Sequence, residues 1–211
     1  MIIIEGLVVK NEDGLQEDLE YKRLTFVYTA ALQQLEGKIN TLSEEFKILH
    51  KYNPIEHISS RIKSKESIMN KLRKKGLDFN YENLIKTIND IAGMRIICSF
   101  IPDIYKMVEM IDNMPDVTVL KKKDYVTTPK TSGYSSYHLI VSLPISLSVG
   151  VIDVKVEIQI RTMAMDFWAS LEHKMKYKTE NEISKKESKD LVSYAKIINK
   201  IDNKMMAIGD T

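Results

Sequence analysis

Between Leu19 and Leu49, the apolar side chains of Leu24, Tyr28, Ala31, Leu35, Ile39, Leu42, Phe46 and Leu49 recur in steps of three and four. That spacing lines one face of a helix, so a long amphipathic α-helix is expected, broken by the Asn53-Pro54 pair. A second helix is predicted over Ser67 to Lys75, closed by Gly76, and a short third over Tyr81 to Asn89. The period then changes. MRIICSF (94–100) is apolar and β-branched and reads as a buried strand, followed by a helix over Asp103 to Asn113. VTVLKK (117–122), YHLIVSLPI (137–145) and VIDVKVEIQI (151–160) read as further strands. In the last, Val154, Val156, Ile158 and Ile160 share one face, while Lys155, Glu157, Gln159 and Arg161 share the other. Helical spacing returns in MDFWASLEHKMKYK (165–178), where His173 reads as a structural histidine among apolar neighbours. Leu191, Tyr194, Ile198, Ile201, Met205 and Ile208 then mark a final helix with a narrow apolar seam. Periodicity alone does not choose between packing of that seam on the chain's own first helix and packing on a neighbouring copy. Helices, then a mixed sheet with helices, then helices: the order specifies an α+β domain.

Composition adds bounds. The chain has 211 residues, 44% of them apolar, enough for a sizeable core. Lys and Arg total 31 against 29 Asp and Glu, a formal charge of +2, which disfavours a general nucleic-acid binder. The charge is uneven, however: Arg61 to Lys75 and Lys121 to Lys130 are basic clusters that suit a small anion. The single cysteine, Cys98, excludes an internal disulfide and reads as a buried thiol. MIIIEGLVV is too short, and too early interrupted by Glu5, for a signal peptide or membrane span. A cytoplasmic location is the expectation, with no membrane partner.

Four stretches have side chains suited to chemistry. In VEIQIRT the face with Glu157, Gln159 and Arg161 reads either as solvated or as part of a site. DIAGMR puts Asp90 just before a strand of the same sheet, and two carboxylates so placed can converge on Mg²⁺, which takes few protein oxygens. RIKSKESIMNKL sets Arg61, Lys63, Lys65 and Lys71 about a helix start, either a solvated basic face or a phosphate site. KDYVTTPKTSGYSSYH (123–138) combines cations, aromatic rings and a tight turn. It reads either as a tyrosine-rich hairpin or as a nucleotide platform, with Tyr134, Ser136 and His138 on one side of an extended backbone. There is no G-x-x-x-x-G-K-[ST] loop, no G-x-G-x-x-G fingerprint and no H-E-x-x-H zinc motif.

Taken together, RIKSKESIMNKL (61–72), DIAGMRIIC (90–98), KDYVTTPKTSGYSSYH (123–138) and VEIQIRTMAMDFWASLEHKMKYK (156–178) resemble the synthetase domain of RelA/SpoT homologues. The likeness is to the stand-alone small alarmone synthetases. It implies a mixed five-stranded nucleotidyltransferase-like sheet, divided into an N-terminal helical extension (1–54), the synthetase domain (55–178) and a C-terminal helix (179–211). The implied reaction moves the β,γ-pyrophosphate of ATP to the 3′-hydroxyl of GDP or GTP, with Mg²⁺ as cofactor. On that likeness Arg61, Lys63 and Lys71 would bind ATP, Arg61 and Arg95 would sandwich adenine, and Asp90 would ligate the metal. Glu157 would orient or deprotonate the hydroxyl and share the metal, and Gln159 would support the acceptor. Tyr134 would stack on guanine, Lys123, Lys130 and His138 would hold the acceptor's phosphates, and Asp166 would face the guanine edge. The family's P-K-x-N-G-Y reads PKTSGY here, with Ser132 at the asparagine position. The likeness also implies a homotetramer, with an inter-subunit cleft for an allosteric nucleotide, or RNA as the regulator. Two other readings stand beside this one: the same chemistry on a tRNA 3′ end or an adenosine nucleotide, and a non-catalytic nucleotide- or RNA-binding module.

Overall fold

The computed structural model describes residues 14–77, 81–148, 150–178 and 184–209, so the expectation for MIIIEGLVV lies outside the described residues. Helix α1 (Gly14–His50) leads to β1 (Ile55–Ile62), α2 (Lys65–Arg73) and α3 (Tyr81–Thr87). Then come β2 (Ala92–Cys98), α4 (Ile101–Asp112), β3 (Thr118–Asp124), β4 (Tyr137–Leu147) and β5 (Gly150–Thr162). Helices α5 (Met163–Lys178) and α6 (Lys185–Gly209) follow.

The strands form one five-stranded sheet in the order β1-β2-β5-β4-β3. Only β2 and β5 run parallel; the other neighbours are antiparallel, which makes the sheet mixed. The alternation in β5 is realised: Val154, Val156, Ile158 and Ile160 are buried. They meet Leu24, Tyr28, Ala31, Leu35 and Ile39 of α1 and Ile104, Met107 and Ile111 of α4 in one core. Each such side chain removed from water contributes about 1.5–3 kcal/mol, so this face fixes the register and turns the polar positions of β5 the other way.

Four of the strands follow the apolar pattern, but β1 does not, and only the resemblance implied a fifth strand. Of IEHISSRI, only Ile55 is buried, and the register shifts between Ile55 and His57. The strand is at the sheet edge, where polar residues are tolerated on both faces. At the Asn53-Pro54 break, Asn53 Oδ1 accepts from Ser43 Oγ at 2.8 Å and from Ile55 N at 3.0 Å, tying the first helix to the first strand. Cys98 is buried as expected, and burial pushes its thiol well above the ordinary range. His173 differs from its structural reading: it is exposed on α5.

The seam of α6 also differs in part. Leu191 is buried and Ile198 packs beside it, but Tyr194, Ile201 and Met205 remain exposed. The packed face is instead Leu191, Ala195, Ile198 and Asp202, lying on α5 and the end of β5. Among the described residues, no helix is long and apolar enough to cross a membrane.

Candidate active site

Strand register builds the site. Arg61 of β1 lies opposite Gly93, Gly93 opposite Glu157, Glu157 opposite Ile140 and Ile140 opposite Lys121. The next row runs Ser59, Arg95, Gln159, His138 and Lys123. Directly paired residues share a face, so two rows that are mostly polar, broken by Gly93 and Ile140 in the first, cross the sheet opposite the apolar core. The apolar alternation of β5 therefore aims Glu157 and Gln159 at the same surface as Arg61, Arg95, His138 and Lys123.

That surface holds a cavity of about 220 Å³. Asp90 and Glu157 both line it, with Lys71 on one wall and Lys123 and His138 on the other. Asp90 is gripped at both oxygens: Lys63 Nζ lies 3.0 Å from Oδ2 and Lys71 Nζ lies 2.7 Å from Oδ1. Burial pushes the Asp90 carboxyl up, but the hydrogen bonds and charges of Lys71 and Lys63 outweigh it and hold the group below the usual carboxylate range. For Glu157, burial again pushes up, and His138 and Gln159 outweigh it, against a small opposing effect of the Asp90 charge. His138 Nδ1 lies 3.6 Å from Glu157 Oε1, and Gln159 Nε2 donates to Oε2 at 3.1 Å.

The 123–138 stretch folds over one end of this surface. Gly133 N donates to Lys130 O at 2.8 Å, Lys130 N donates to Tyr134 O at 3.0 Å, and Tyr134 N donates to Ser132 Oγ at 3.4 Å. The serine thus forms the turn with its own side chain. Tyr134 Oη and His138 Nε2 are 2.8 Å apart, and Lys130 Nζ sits 4.8 Å above the Tyr134 ring. Ser136 is on the same side but fully buried.

Sequence reasoning missed one organiser. Arg161, 4% exposed, donates from Nη2 to Tyr134 Oη at 2.5 Å and to Gln159 Oε1 at 2.8 Å, and from Nη1 to Asp166 Oδ1 at 3.1 Å. Its Nε donates to Ser136 Oγ at 3.3 Å. The same Asp166 oxygen is 3.2 Å from Arg95 Nη1, so this carboxylate bridges two guanidiniums. Burial, then the Arg161 charge, lowers the Arg95 guanidinium from its usual value. The alternation in β5 had already placed Arg161 beside Glu157 and Gln159, and that was the available signal. Lys75, Asn89 and Lys121 also line the cavity.

Two carboxylates lining one cavity offer hard oxygen donors of the kind Mg²⁺ takes, with its other positions left for water and phosphate. Among the described residues, no group of three or more His, Cys, Asp or Glu forms a metal cage.

Residues 60–182 match the region found in RelA / SpoT proteins. The chain is 47% identical over 203 residues to the GTP pyrophosphokinase YwaC of Bacillus subtilis, covering 96% of this chain and 97% of that one. The chain belongs to the RelA/SpoT family. Among solved structures, this RelA/SpoT protein is similar to small alarmone synthetase 2 from Bacillus subtilis, with a TM-score of 0.83 and 46% identity over 90% of this chain and 98% of that one. Small alarmone synthetase 1 from the same organism, bound to its product pppGpp, also has a TM-score of 0.83, with 36% identity over 90% of this RelA/SpoT chain and 97% of that one.

Proposed function

We infer that this chain is a GTP pyrophosphokinase, transferring the β,γ-pyrophosphate of ATP to the 3′-hydroxyl of GDP or GTP. The observation that supports it most is the cavity shared by Asp90 and Glu157, lined also by lysines and by His138, whose Nε2 lies 2.8 Å from Tyr134 Oη. A pure anion-binding module has no use for carboxylates at its centre.

In the proposed reaction, the acceptor's 3′-oxygen bonds to the β-phosphorus of ATP. The bond from that phosphorus to the α,β-bridging oxygen breaks, and AMP leaves with that oxygen. Glu157 orients the hydroxyl and takes its proton, as its depressed pKa keeps it ionised at neutral pH. Arg61, Lys63 and Lys71 bind ATP, the lysines at its phosphates and Arg61 with Arg95 against adenine. Tyr134 stacks on guanine, Lys123, Lys130 and His138 meet the acceptor's phosphates, and Gln159 steadies Glu157. Asp90 and Glu157 are the residues that would hold Mg²⁺. The chemistry Mg²⁺ supplies when bound is neutralisation of phosphate charge and polarisation of the β-phosphorus. Most of the rate then comes from positioning and charge stabilisation.

The proposal includes a cytoplasmic location and a homotetramer; self-association is supported by the apolar stripe that α6 leaves exposed, Tyr194, Ile197, Ile201 and Met205. The test is incubation with γ-labelled ATP and GDP, GTP or tRNA in Mg²⁺. The expected outcome is label in ppGpp or pppGpp with equimolar AMP. Label on tRNA alone would redirect the acceptor, and no AMP release would reduce the protein to a binding module.

A further inference from the structure

Gly133 sits in the acceptor loop at φ +91°, in the region that side chains rarely adopt. Space excludes a side chain there as well. A Cβ at this position would lie 2.6 Å from Ala195 Cβ, 3.4 Å from Trp168 Cζ2 and 3.5 Å from Val192 Cα. The loop therefore rests directly on α6. Tyr134, the next residue, packs on the cluster of Trp168, Ala169 and Leu191, which Ala195 and Ile198 also join. The Trp168 indole N–H donates to Leu191 O at 3.1 Å, locking α5 to α6 at the same spot. Seven residues beyond Ala195, Asp202 Oδ2 accepts from Thr162 Oγ1 at 2.6 Å, a second anchor at the end of β5.

One face of α6, from Leu191 through Ala195 and Ile198 to Asp202, thus holds the acceptor loop, the indole and the end of the catalytic strand. This helix lies past the region matched to the family, and none of the proposed chemical steps uses it. We propose that α6 is a working part of the acceptor site and that Ala195 is a positioning residue for the reaction. Its single methyl sets how deeply Gly133 sits, and with it the ring of Tyr134. The donor side, with Lys63, Lys71 and Asp90, lies by α2 and is set independently. The proposal rests on Tyr134 serving the acceptor.

The experiment compares steady-state kinetics of four variants, with emission of Trp168, the only tryptophan, followed during GDP titration. Ala195→Leu pushes the loop outward. It is expected to raise KM for the acceptor at least about fivefold, the scale of a modest overpacking penalty, with KM for ATP unchanged. The GDP-dependent change in Trp168 emission moves to correspondingly higher concentration. Gly133→Ala gives the same defect, and Gly133→Ala/Ala195→Gly recovers part of it because the clashing methyl is gone. An unchanged acceptor KM in Ala195→Leu of wild-type Tm overturns the proposal. If Ala195→Leu does not fold, Ala195→Val takes its place, and an unchanged acceptor KM there overturns the proposal in the same way. Tyr134→Ala separates the two readings. If it leaves acceptor KM unchanged, Tyr134 is not the platform; if it raises KM while the Ala195 variants do nothing, only the role of α6 falls.

Discussion

Asp90 and Glu157 are held in contrasting ways. Asp90 is neutralised by two lysines, while Glu157 leans on a histidine and an amide. Both carboxyls have folded pKa values below their ordinary ones, so their contribution to stability is complete above the ordinary carboxylate range and is lost as pH falls through the folded values. Both are therefore ionised across the neutral range. Asp90→Asn and Glu157→Gln are expected to bind nucleotide in equilibrium titrations yet lose turnover by at least ~10²-fold, the scale of removing a group that acts in the transition state. Near-normal turnover in either variant would remove that residue from the mechanism. At this scale the sequence was informative where residue type and alternation coincide, as in Glu157 and Gln159, while the place of Arg95 against adenine came through the family resemblance. It placed Arg161 on the same face but gave it no role, because a buried guanidinium with partners on three segments looks, in sequence, like any surface arginine on an alternating strand.

Elements were legible where they carry an apolar face or a β-branched run, β3 among them although none of its residues is buried. Strand β5 and helix α1 announced themselves because one face of each is apolar and enters the core. Strand β1 did not, since edge pairing with β2 holds it rather than side-chain burial, and such hydrogen bonding leaves little mark on composition. The packed face of α6 was misjudged because it includes small and polar residues, Ala195 and Asp202, while larger apolar ones point outward. Asp202 tests this anchor. Burial raises its pKa, against the lowering by Thr162, so the folded state binds its proton more tightly and stability falls as pH climbs from the ordinary aspartate value to the raised one. Asp202→Asn keeps an acceptor for Thr162 and removes the charge. It is expected to raise Tm by a few degrees at pH 7, with the gain shrinking toward about pH 4. A constant gain across that range in thermal melts would show that charge is not its origin.

At the scale of the molecule, the stripe Tyr194, Ile197, Ile201 and Met205 is an apolar face of α6 left uncovered by the chain. Association through it is expected to give an oligomer by light scattering at micromolar concentration, and Ile201→Lys to shift the mass downward. A wild-type monomer under those conditions would end the claim. The sheet itself ends, at β3, in three successive lysines. Lys121 and Lys123 face the cavity, while Lys122 turns the other way and meets Asp112 at 2.8 Å. A bare outer strand invites foreign strands to add on, and ammonium groups pointing both ways repel them. The lysines that line the cavity thereby also disfavour strand addition at the open rim of the sheet, so neutralising them for kinetic study is expected to carry a solubility cost of its own.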